Sequence, residues 1–319
     1  MTNRTAPPRP GELFVTDGGI ETHLIFNLAQ ELPNFSAYVL ARSDVLRDYY
    51  RSYLGIAKTA GRPFVFDTAT WRASPDWAEL NGHSLAQLRQ ANIDAVQLCR
   101  DLQSEFAAEG VRSVVSGVIG PRRDGWTYDA VMTAEEAEAY HASQIDAFVE
   151  AGIDYVTVYT LTNTPEAIGI ALACKARGLP VVLSFTLETD GNLPGGKPLG
   201  QAIGEVDAAT DGYASYFMLN CVHPVHFAAT IRHAGSWIDR IGGLRANASS
   251  KSHAELDASP TLDIGDMRDL ARWYDKLLLL MANLRVVGGC CGTDHRHIGE
   301  ICAHALPHAG RHEGHHHHV

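Results

Sequence analysis

The run YVTVYTLTNTPEAIGIALACKARGLPVVLSF, residues 155–185, sets the fold. Tyr155–Tyr159 is short and rich in β-branched and aromatic residues, Pro165–Arg177 carries a helical period, and Val181–Phe185 is again apolar and β-branched. Strand, helix, strand is the unit of a parallel sheet. The alternation continues in both directions. Further strands are predicted at Leu13–Thr16, Phe64–Asp67, Ser113–Gly117, Tyr216–Leu219, Ile241–Arg245 and Arg285–Val287. Helical stretches fall at Ser43–Ala60, Ser84–Ala108, Ala134–Ala151 and Ile264–Asn283. Eight strands alternating with helices is the count of a closed α/β structure, the (β/α)8 TIM barrel, here as a single domain. An open doubly wound sheet shares the local pattern. The barrel is preferred because the first strand runs into Asp17-Gly18-Gly19, with no G-x-G-x-x-G dinucleotide fingerprint.

A length of 319 residues suits one such barrel. With 45% hydrophobic and 20% charged residues, the chain is neither disordered nor fibrous. Lys and Arg number 26 against 37 Asp and Glu, a formal net charge of −11. That balance argues against nucleic acid or an anionic membrane as the main partner. No apolar run is long enough to span a bilayer. Met1–Pro10 is polar and proline-rich without the apolar stretch of a secretory signal, so a cytoplasmic location is expected. The expected organisation is an N-terminal extension over 1–12, the barrel over 13–305 and a tail over 306–319. The tail's run His315–His318 resembles an expression tag and is left out of every metal argument.

In such barrels function gathers at the C-terminal ends of the strands. Those ends carry Asp17, Thr68 to Arg72, Gly120-Pro121, Tyr159-Thr160, Glu188, Asn220-Cys221, Asn247 and Cys290-Cys291. Three of the six cysteines therefore fall on the functional face. Cys99, Cys174 and Cys302 fall inside helical periods and read as ordinary buried thiols. In a reducing compartment the strand-end cysteines are expected as thiols rather than disulfides. The glycines of Gly288-Gly289-Cys290-Cys291-Gly292-Thr293 permit the torsions that adjacent side chains need to reach one point. Cys221 would complete a three-thiolate set, which suits a catalytic zinc with its fourth position open. Three unrelated thiols, or a Gly-Gly phosphate cradle after strand eight, remain alternatives on spacing alone.

Taken together, Asp17-Gly18-Gly19, Ser116-Gly117-Val118-Ile119-Gly120-Pro121, Asn220-Cys221 and Gly288-Gly289-Cys290-Cys291-Gly292-Thr293 resemble the homocysteine S-methyltransferase family over about Leu13 to Ile301. The resemblance implies a (β/α)8 barrel in which Cys221, Cys290 and Cys291 hold catalytic zinc. It further implies a methyl group passing from an onium donor (S-methylmethionine, S-adenosylmethionine or betaine type) to a zinc-bound thiolate, homocysteine giving methionine. Beyond the zinc-activated thiolate no catalytic side chain is required. The partners implied are a small-molecule thiol and the donor; a homo-oligomer is possible. A chain of one barrel leaves no length for the folate, cobalamin and reactivation modules of a complete cobalamin-dependent methionine synthase.

The same resemblance places the acceptor's amino-acid end at the turn Asp17-Gly18-Gly19, with its carboxylate on the amides of Ile20 and Glu21. Where the family has a strand-four Glu, this chain has Tyr159. A phenol cannot supply the ion pair that a carboxylate offers an ammonium. A different thiol or selenol acceptor, or a barrel that binds thiol or metal without turnover, is the alternative. After strand two, Trp71 is expected either to stack on the methyl-onium cation or to pack in the core, and Arg72 to clamp a donor carboxylate, implying a zwitterionic donor. Asn220 and Asn247 are expected to orient a thiolate or contact substrate. Glu166 is expected to face solvent, and the pairs His223/His226 and His295/His297 to sit at helix starts away from any metal.

Overall fold

A computed structural model describes residues 7–125 and 131–306. The His315–His318 run lies outside the described residues. Eight strands, β1 (Phe14–Val15), β2 (Phe64–Asp67), β3 (Ser113–Ile119), β4 (Tyr155–Leu161), β5 (Val181–Phe185), β6 (Tyr216–Asn220), β7 (Ile241–Ala246) and β8 (Val286–Gly289), follow one another around a closed barrel. All neighbours are parallel, and Phe14 opposite Val286 closes the ring. All eight expected strands are present.

Local chemistry sets the helix boundaries. Ser84 and Gln87 form a reciprocal capping box at the start of helix Leu85–Ala108. Thr133 caps Ala134–Ala151, which Gly152 ends at a φ of 73°. The helix expected over Ser43–Ala60 is two, Asp44–Arg51 and Leu54–Ala60. At the break, Ser52 Oγ donates to the Tyr49 carbonyl at 2.6 Å, competing with the regular ladder. Helices Pro75–Leu80, Leu199–Thr210 and His295–His304 add to those expected.

Strand alternation divides the core in two. Phe64 and Phe66 of β2 pack on Phe106 of the outer helix layer, in the larger apolar cluster. Val65 between them joins Val114, Tyr155, Val182, Tyr216 and Val286 in a second cluster inside the barrel. The same inward parity, carried to the strand ends, gives Asp67 on β2, Tyr159 on β4 and Asn220 on β6, and Arg245 of β7 joins them through its bond to Asp67. The pleat therefore delivers a polar layer to the C-terminal mouth, above an apolar floor.

Candidate metal and substrate site

Cys221 follows β6 with a φ of 57°, in the left-handed region, and its N–H donates to the Arg245 carbonyl at 3.2 Å. Cys290 follows β8; its N–H reaches Ala246 O at 2.8 Å, and its carbonyl accepts from Thr293 N at 3.0 Å and Thr293 Oγ1 at 2.6 Å. Gly292, at a φ of 80°, turns the chain immediately afterwards. The result brings the sulfurs of Cys221, Cys290 and Cys291 within 4.8 Å of one another. The sulfurs of Cys221 and Cys290 lie in contact, close enough to join as a disulfide, and the Cys291 thiol stands free beside them. The cause is geometric, since β6 and β8 flank β7 and set the two Cα atoms 5.5 Å apart, well inside disulfide reach.

In the reduced state the same cluster offers three sulfurs and, among the described residues, no oxygen or imidazole ligand. That donor set fits zinc, with one tetrahedral position remaining. Burial, reinforced by the negative charge of Glu21, pushes the Cys291 thiol up to about 11. The protein alone thus keeps it protonated at neutral pH, and a bound cation is needed to hold it as thiolate.

Beside the cysteines lies a network that the sequence did not reveal. Arg245 is buried and donates from Nη2 to Asp17 Oδ1 (3.0 Å), Asp17 O and Gly18 O, from Nη1 to Asp67 Oδ2 (2.6 Å), and from Nε to Gly289 O. Tyr159 donates to Asp67 Oδ2 at 2.6 Å, and Tyr49 donates to Asp17 Oδ2. Burial raises the Asp67 carboxyl to about 6, against the pull of Arg245. One guanidinium thus serves two buried carboxylates, and Tyr159 completes the set. A phenol suits this position: a third carboxylate here would add to the excess of negative charge around Arg245.

Other predicted residues sort by their partners. Gly18 N donates to Tyr53 Oη (2.9 Å) and Gly19 N to Thr293 O (3.0 Å), so neither amide is open to a substrate carboxylate. Their role is close approach: a Cβ on Gly19 would sit 2.5 Å from the Cys290 carbonyl oxygen. Ile20 and Glu21 open a short helix, Ile20–Thr22, on the cavity wall. Asn220 uses its amide to receive Thr160 N (2.9 Å) and Ser184 Oγ (2.7 Å) and to donate to Thr160 Oγ1 (2.9 Å). It braces the β4 bulge, where Thr160 sits at a φ of 64°. Asn247 is buried and lines the cavity, with no partner for Oδ1 among the described residues.

Arg72 departs from its expected role. It is buried between Trp71 and Trp77, 4.3 and 3.6 Å from their ring centres, and donates to the carbonyls of Arg123 and Asp124. Trp71 lines the cavity and Arg72 does not. Glu166 is also corrected: it is buried, pairs with His141 Nε2 at 2.8 Å and accepts from Arg122 N at 2.9 Å, because its helix face packs on helix Ala134–Ala151. The histidines sit at helix starts as expected. His223 caps the turn Pro224–His226, His226 binds Ser250 O, and His297 completes the cap of its own helix. Cys99, Cys174 and Cys302 are buried free thiols.

A cavity of about 260 Å³ joins these parts at the C-terminal mouth. Its lining includes the cysteines, Asp17, Asp67, Tyr159 and Arg245, together with the apolar side chains of Ile20, Phe26, Phe35, Trp71, Leu256 and Leu262. The described residues contain no helix long and apolar enough to cross a membrane.

Comparison with known proteins agrees with this geometry. The chain is 27% identical to the homocysteine S-methyltransferase of Escherichia coli strain K12, covering 92% of this chain and 95% of that protein. It is 25% identical to betaine–homocysteine S-methyltransferase 1 of Danio rerio, covering 91% and 72%. The crystal structure of the Escherichia coli homocysteine methyltransferase MmuM matches in fold, with a TM-score of 0.73 to the oxidized form and 0.69 to the metallated form. Each is 22% identical, covering 91% and 92% of this chain and 95% and 96% of that one. The profile of the homocysteine S-methyltransferase family matches residues 14–305, and the chain belongs to that family.

Proposed function

We propose that this methyltransferase is zinc-dependent and moves a methyl group from an onium donor to a thiolate held at Cys221, Cys290 and Cys291, with homocysteine as the acceptor. The observation carrying the reading is the convergence of three sulfurs at the mouth of a closed barrel. Family membership and the named activities of the relatives support it, as does a relative solved in a metallated form. A zinc ion bound by the three thiolates would keep an incoming thiol deprotonated, since an ordinary alkyl thiol has a pKa of about 8.5 and is mostly protonated at pH 7.

The protein's own groups do the rest. The thiolate lone pair forms the new C–S bond, while the bond from methyl to the onium sulfur or nitrogen breaks and leaves its electrons on that atom. Gly18 and Gly19 let the β1 turn pack on the Thr293 and Cys290 backbone, fixing the cysteines relative to the cavity. Arg245 pairs with both Asp17 and Asp67 and offsets part of their charge, which lessens their repulsion of an anionic nucleophile in the same cavity.

A second reading changes the acceptor. Asp17 is already engaged by Arg245 and Tyr49, and Tyr159 by Asp67, so the expected ammonium pocket is closed within the protein. That arrangement favours a thiol without an amino-acid head. Incubating reduced, zinc-loaded protein with a panel of thiols and S-methylmethionine, betaine, S-adenosylmethionine or an arylsulfonium donor lacking a carboxylate, with mass spectrometry of the products, separates the two. Methionine formation supports homocysteine; methylation of another thiol alone supports the second reading; silence from every pair counts against both.

A further inference from the structure

We propose that the apolar part of the cavity lining forms a donor subsite for an onium cation that bears an apolar or aromatic substituent and no carboxylate. The inference deepens the methyl-transfer reading above and rests on it. Three observations carry it. The first is the lining: Ile20, Phe26, Phe35, Trp71, Leu256 and Leu262 contribute apolar side chains to the cavity, and Phe26 and Phe35 are 47% and 38% exposed. Large aromatic faces left in water beside a pocket favour an apolar ligand, and aromatic rings attract methylated cations.

The second is the charge of the lining. Asp17, Glu21, Asp67, Asp257 and Asp263 contribute carboxylates, against Arg245 as the single lysine or arginine. Arg245 is committed to Asp17 and Asp67, and Asp263 to Lys251 at 3.2 Å. Glu21 has no salt-bridge partner among the described residues. The third is Asn247, whose buried Oδ1 adds an unpartnered acceptor to the same space. Arg72, the residue expected to take a donor carboxylate, is stacked between two indoles and absent from the lining. A carboxylate on the donor would therefore meet like charge and no free cation, whereas a bare onium meets carboxylate and aromatic surface. After methyl loss such a donor leaves as a neutral amine or thioether, through an apolar exit.

The test is calorimetric titration of the reduced, zinc-loaded full chain with phenyltrimethylammonium and with glycine betaine, zinc being measured on the same sample. The inference expects phenyltrimethylammonium to bind at least about tenfold more tightly. Glu21→Gln and Phe35→Ala are each expected to weaken that binding about threefold or more, while changing betaine binding less than twofold. Equal or tighter binding of betaine, or unchanged phenyltrimethylammonium affinity in both variants, overturns the subsite. If Glu21→Gln fails to fold, Phe35→Ala, at a half-exposed side chain, decides. A sample that takes up no zinc counts against the methyl-transfer reading instead, whichever cation it prefers.

Discussion

Arg245 is the residue on which the mouth of the barrel depends. It is buried with Asp17 and Asp67, and removing the shared cation would leave two desolvated carboxylates facing each other. Breaking a buried pair in this way costs about 3–5 kcal/mol. Arg245→Met is therefore expected to lower unfolding stability by about that amount in urea titration; a loss under about 1 kcal/mol would contradict the network. Glu21 makes a pH prediction. Its carboxyl is raised from 4.5 to about 7, so the native state holds its proton more tightly than the unfolded chain. Stability is then highest below about 4.5 and falls as pH rises towards 7. In metal-free, reduced protein, Glu21→Gln should be more stable than the parent at pH 8, with that advantage gone by pH 4. Melting curves that differ equally at both pH values would refute the assignment. At this scale the sequence was only half legible. The cysteines announced themselves by their glycine frame, but Asp67 and Arg245 read as the last residues of ordinary strands. The available signal was a charge at the inward-facing position of an apolar run, which means something only once its partner on another strand is known.

At the scale of elements, β4 shows how a strand end is bent to serve a site. Its register shifts between Val158 and Leu161, and Thr160 is held in the left-handed region by Asn220 from β6. A β-branched residue there is strained by about 1–3 kcal/mol. Asn220→Ala removes three buried hydrogen bonds, each contributing about 1 kcal/mol, and should destabilise by about 2–3 kcal/mol. Adding Thr160→Gly to that variant should recover about 1 kcal/mol by relieving the torsion. If the second change only adds to the loss, Asn220 is not the brace described. The strands were legible because eight short β-branched runs stood between helical periods. The bulge was not, since nothing in Tyr159-Thr160-Leu161 states a torsion. The helix break at Ser52 was hidden for a related reason: a serine favours the helix or interrupts it according to where its hydroxyl finds an acceptor.

On the scale of the whole molecule, closure of the barrel makes the site. Residues 221 and 290–291, far apart in sequence, meet because β6 and β8 sit on either side of β7 in a ring. The count of strands made that ring predictable, and strand-end chemistry then placed the cysteines on its functional face. The contact of Cys221 with Cys290 was not predictable from reducing conditions alone, because proximity suited to sharing an ion equally permits oxidation. A disulfide and the metal compete for the same sulfurs. The most direct test is zinc stoichiometry by elemental analysis of the chain without the His315–His318 run, prepared reduced and, in parallel, oxidised. The account predicts close to one zinc per chain when reduced, and essentially none when oxidised or in Cys290→Ser. Reduced protein that takes up no zinc, or a Cys290→Ser variant that retains it fully, would contradict the claim that these three sulfurs form one metal site.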